Sequence, residues 1–178
     1  MDTRNDAITA QIPLAGFPKQ FELDGARIYV NVPSANHVAV VDRAQQTVVA
    51  TWPIAAAKGN VPMALDRANH RLLIGCEPGK FVVLDTATGQ AIASLDISPE
   101  ADGIAYDAAR RLIYISCGAG ALDVLRQVSA DHYELAERIP TVKGAATSLF
   151  VPEWHRLILA VPQHAPQPAE LHVFQTGS

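Results

Sequence analysis

Short apolar runs recur along the chain between clusters of Gly, Pro, Asp, Asn and Thr, and almost none of them holds a helical period. Arg27-Ile-Tyr-Val-Asn-Val-Pro33, Arg71-Leu-Leu-Ile-Gly-Cys76, Leu112-Ile-Tyr-Ile-Ser-Cys117 and Arg156-Leu-Ile-Leu-Ala-Val-Pro162 are variants of one strand. With Ile28, Leu72, Ile113 and Leu157 taken as equivalent, the steps are 44, 41 and 44 residues. A strand ending near Asp42, Asp85, Arg126 and Gln175 follows each of them. One ending near Asp24, Asp66, Asp107 and Val151 precedes each. A last type reads Thr47–Trp52, Ala91–Leu95 and Glu134–Ile139. Asp85-Thr-Ala-Thr-Gly89 reads as a hairpin turn in which Gly89 takes positive φ. A helical reading competes at Asp131–Ile139, where Leu135 and Ile139 sit one turn apart.

Four short β-branched strands per unit of roughly 40–45 residues is the pattern of a propeller blade. The expected fold is all-β, a half-propeller of four four-stranded blades forming one domain over 1–178. The blades run approximately 17–54, 60–97, 101–140 and 145–175, with 6–14 added to the last. That addition follows from the ends of the chain. The fourth unit stops after Gln175, whereas Asp6-Ala-Ile-Thr-Ala-Gln-Ile-Pro-Leu14 reads as a last strand with no blade before it. Joining the two satisfies a sheet edge that neither can satisfy alone.

On these strings the chain resembles the YVTN β-propeller repeat family, the YncE-like proteins. The resemblance rests on Arg27-Ile-Tyr-Val-Asn-Val, Val38-Ala-Val-Val-Asp42, Val82-Val-Leu-Asp-Thr-Ala-Thr-Gly89, Ala105-Tyr-Asp-Ala-Ala109 and Leu112-Ile-Tyr-Ile-Ser116, and it covers nearly the whole chain. It implies a larger ring, commonly of seven blades, so this chain looks like the C-terminal half of such a protein. Three assemblies follow: a closed four-bladed ring, an open half-ring, or two chains completing eight blades. The open half-ring leaves two apolar blade faces in water. A homodimer buries both, with Ala7–Leu14 completing the partner's last blade by strand exchange.

Composition narrows the partners. Fourteen Lys and Arg against eighteen Asp and Glu give a formal charge of -4, with no basic block. That argues against a nucleic-acid or membrane-surface binder. No apolar stretch is long enough to span a membrane, and Met1–Asp6 is polar, with no signal-peptide core. A soluble bacterial-type protein is expected, cytoplasmic or a mature periplasmic or secreted form. Cys76 and Cys117 align with Val32 and Val161, a buried column that accepts Cys as a small hydrophobe.

Blade geometry sorts the polar residues. Loops leading into the first strand of each unit open at the channel mouth and carry Lys19, Lys58, Asn60, Asp102 and Lys143, the expected ligand-binding set for a small molecule. Lys58-Gly59 and Lys143-Gly144 share a column, as do Lys19 and Asp102. At the architectural level the chain is similar to propeller lactonases and organophosphate hydrolases. That similarity implies an alternative, a metal-dependent hydrolase of esters, lactones or phosphoesters. Asn60, Glu100 and Asp102 could offer oxygens to Ca²⁺. His37 and His164, mouth-face residues of blades one and four, could meet across a two-chain junction and bind Zn²⁺. No nucleophile motif and no glycine-rich phosphate loop is present. His70 and His155 share a turn column, and Asp123 and His172 a sheet column that calls for a hydrogen bond within the sheet.

Overall fold

The structure, a computed structural model, describes residues 7–177; Met1–Asp6 and Ser178 lie outside the described residues. Among the described residues fifteen strands form four antiparallel sheets, each a meander of sequence neighbours. The first sheet holds β1 (Phe21–Asp24), β2 (Arg27–Val32), β3 (His37–Asp42) and β4 (Thr47–Pro53). The second holds β5 (Lys58–Asp66), β6 (Arg71–Glu77), β7 (Lys80–Asp85) and β8 (Ala91–Asp96). The third holds β9 (Ala101–Asp107), β10 (Leu112–Cys117), β11 (Ala121–Ser129) and β12 (His132–Pro140). The fourth has three strands, β13 (Thr147–Val151), β14 (Arg156–Val161) and β15 (Glu170–Gln175). Asp131–Ile139 therefore lies in the β11–β12 hairpin and not in a helix. Leu135 pairs with Leu125 across the ladder. Among the described residues no helix is long and apolar enough to cross a membrane.

Successive sheets stack face to face, and their first strands touch one another at the inner edge. The middle strands are buried on both faces, which is why they read as continuous apolar runs. Each junction uses the same device: the outer strand of one sheet and the linker after it lay apolar side chains on the next sheet. Ala50, Trp52 and Ile54 do this between the first and second sheets. Ala93, Leu95 and Ile97 do it between the second and third. Ile139 packs at the junction of the third and fourth. Trp52 stacks on Tyr29, centroids 5.5 Å apart, and a Cβ on Gly89 would run into its ring. Gly89 has φ +74°, so its turn needs glycine twice over.

The two ends of the arc differ from its middle. Residues 8–20 form no strand among the described residues, Ala7 carries an isolated bridge, and the fourth sheet has three strands there. Ile12 and Leu14 instead pack on Val30, Val32, Ala39 and Val41, the free face of the first sheet. Ile12-Pro13-Leu14 matches Trp52-Pro53-Ile54 both in sequence and in packing role. On the fourth sheet Leu171 and Val173 are 67% and 60% exposed, whereas Val38 and Val40, their equivalents in the first sheet, are 0% and 3%. Phe21 on the other end is 58% exposed against 0% for the equivalent Met63.

Candidate functional site

The inner-strand mouth is built from linkers that bend through left-handed backbone. Gly59 and Gly144 have φ of +59° and +82°, so Lys58-Gly59 and Lys143-Gly144 make equivalent turns in the second and fourth units. Lys58, Lys143, Lys19, Glu100 and Asp102 are all exposed. Among the described residues no ion pair joins any two of them. The Lys19 ammonium lies 5.5 Å from the Phe17 ring centroid. Glu100 sits at φ +62°, and its carbonyl accepts the Gly118 N–H at 2.8 Å.

Asn60 is placed differently from the expectation. It is fully buried between the first two sheets, where its Nδ2 donates to Asn31 Oδ1 at 2.7 Å and to the His37 carbonyl at 2.9 Å. The β5–β6 register shifts on both sides of Asn60, and this bulge turns the side chain from the channel to the sheet interface. His37 and His164 are not brought together within the chain. His37 pairs with Val32 and Pro53 on the free side of the first sheet. His164 donates from Nε2 to the Lys143 carbonyl at 2.8 Å, in the fourth unit. Among the described residues, no three His, Cys, Asp or Glu side chains converge as a metal site would require.

The shared columns have structural explanations. His70 and His155 have φ of +58° and +51°, and Arg111, in the same turn of the third sheet, has +56°. Asp123 is fully buried and accepts the Ser98 N–H at 2.6 Å, the Ser98 hydroxyl at 3.0 Å and both prongs of Arg138. Ser148 and Ser116 are joined by a 2.6 Å hydrogen bond between the third and fourth sheets. Cys76 and Cys117 are free and fully buried, and burial pushes each thiol up to about 12.

On the face opposite the mouth, the second and third sheets enclose a cavity of about 360 Å³ that strand spacing does not reveal. Buried Asp66 and Gln127 form its floor, with Gln127 Nε2 donating to Asp66 Oδ2 at 2.7 Å and to Tyr133 Oη at 3.1 Å. Tyr106 Oη donates to Gln127 Oε1 at 2.6 Å, and Asn69 Nδ2 to Asp66 Oδ2 at 2.7 Å. Arg111 stands at the rim. Burial first, and then the Asp66 charge, push the Tyr106 phenol up to about 12. The sequence analysis singles out none of these residues as a site; the signal open to it is Gln127, a polar residue following the apolar run of β11.

No family model and no curated protein matches the chain. Solved structures do match. A chain of hydrazine synthase from Kuenenia stuttgartiensis superposes with a TM-score of 0.74 at 18% identity, over 85% of this chain and 43% of that one. The Pan2 WD40 domain of Neurospora crassa gives 0.68 at 12%, over 89% and 48%. The computationally designed Ika4 protein gives 0.72 at 11%, over 96% of this chain and 100% of that one. The chain thus spans less than half the length of the two natural chains. At these identities the likeness shows the β-propeller fold alone.

Proposed function

We propose that this chain, a YVTN-type half-propeller by its repeat strings, is a non-catalytic binding scaffold. Two copies form an eight-bladed ring, and its mouth, lined by Lys19, Lys58, Asp102 and Lys143, receives a small ligand. The observation that carries the pairing lies at the two end sheets. Among the described residues the fourth sheet has three strands, and Ile12 and Leu14 lie on the outer face of the first sheet, where an outer strand and linker lie at the other junctions. A partner's fourth sheet completes that junction. Its Leu171 and Val173 then take the buried roles of Val38 and Val40. Fully burying a Leu or Val side chain is worth about 1.5–3 kcal/mol, and two symmetric junctions provide several such groups against the cost of association.

Register in the first sheet pairs Val40 with Ala50, so Ala10 of one copy faces Val173 of the other. Ala10→Cys and Val173→Cys chains, purified separately, mixed and oxidised, form a covalent dimer under this reading. Neither variant oxidised by itself forms that dimer. Absence of cross-linking in the mixture contradicts the strand exchange. The buried native thiols do not compete.

A further inference from the structure

We propose that the cavity between the second and third sheets, on the face opposite the mouth, binds a neutral, hydroxyl-rich molecule of monosaccharide size, contacted by Tyr106 and Arg111. Its volume, about 360 Å³, lies at the small end of ligand pockets. The site is independent of ring assembly, because its walls come from adjacent sheets of one chain: the turns after β5 and β9 and the β11–β12 hairpin.

Charge and hydrogen-bond capacity select the ligand class. Asp66 and Arg111 oppose one another in sign, so a ligand of either net charge meets one repulsive group. An ammonium ligand is disfavoured because the acceptor sites of the buried Asp66 carboxylate are mostly taken. Its Oδ2 accepts from Gln127 and Asn69, and its Oδ1 accepts the Asn69 N–H at 3.2 Å. What remains is room for one hydroxyl donor, not for the three donors of an ammonium group. Tyr106 spends its proton on Gln127, which leaves its oxygen as an acceptor toward the cavity and its half-buried ring as an apolar wall. Among the described residues the Arg111 guanidinium makes no ion pair, so its donors are free. Hydroxyls, which donate and accept, fit this mixture of spent and open groups.

Calorimetric titration of the purified chain with glucose, galactose, mannose, glycine and inorganic phosphate tests the assignment. Saturable binding of at least one hexose is expected, with none for glycine or phosphate. Arg111→Ala and Tyr106→Phe each remove a hydrogen bond and weaken that binding about threefold to tenfold; Arg111→Ala keeps the thermal midpoint, whereas Tyr106→Phe also takes the donor from buried Gln127 and lowers it. Glu153→Gln, an exposed change in the turn after β13, leaves the binding unchanged. Lack of hexose binding, preference for glycine or phosphate, or full affinity in both cavity variants overturns the proposal.

Discussion

Arg138 holds Asp123 with two parallel bonds, Nε to Oδ1 at 2.7 Å and Nη2 to Oδ2 at 3.0 Å. Asp123 occupies a column that is Ala39 in the first sheet and Val82 in the second, so its charge sits where those two blades are apolar. The same carboxylate receives Ser98, from the linker between the second and third sheets, and ties that linker to the third. Removing one partner of a buried pair costs about 3–5 kcal/mol. Arg138 is half-exposed, which lowers the expectation to about 2–3 kcal/mol for Arg138→Ala. Urea unfolding should show that loss, with Arg138→Lys recovering part of it.

Acid should weaken the fold through the same group. Burial alone raises the Asp123 carboxyl, but the bonds from Arg138 and Ser98 outweigh it and hold the group below the usual carboxylate range. Asp85 behaves likewise: burial raises it, and the Thr88 and Ala87 turn bonds and Arg71 more than reverse this. A carboxylate depressed in the folded state contributes stability above its unfolded pKa of about 3.9 and loses it as pH falls through the folded value. The urea midpoint should therefore hold from pH 7 to about pH 5 and drop below that. Asp123→Asn should start lower at neutral pH and fall less on acidification.

The thiols give a third expectation. With pKa values near 12 and no exposed surface, Cys76 and Cys117 should be inert to a thiol reagent at pH 8 in the native protein and both reactive in denaturant. Cys76→Val and Cys117→Val restore the residue found at Val32 and Val161 and should cost under about 1.5 kcal/mol.

The apolar ends can be tested without touching the interior. Leu171→Glu with Val173→Lys places charges on an exposed face, so the four sheets should keep their circular dichroism while the chain stops pairing. Val40→Lys places the same charge in a fully buried equivalent column and should unfold the protein.

The sequence made the blades legible because each middle strand meets the same demand in every unit. Val32, Cys76, Cys117 and Val161 are one position seen four times. The Asp123 bond was legible for the converse reason, as a polar break in an apolar column. Asn60 reads as part of the loop leading into its unit, whereas β5 already begins at Lys58, and register shifts flank Asn60 within that strand, where it is buried. Trp52 reads as isolated, since its seat is made by Tyr29 and by the missing side chain of Gly89 in another sheet. The cavity of Asp66, Tyr106, Arg111 and Gln127 draws on three separate turns, and no local spacing announces it.

The proposed pairing of two copies rests on the exposed Leu171 and Val173 of the fourth sheet and the matching covered face of the first. Light-scattering mass across a dilution series tests it most directly. The chain weighs 19.1 kDa, and the account predicts twice that, about 38 kDa, falling toward the single-chain mass only in the Leu171→Glu, Val173→Lys variant. A native mass of 19.1 kDa at every concentration would contradict it.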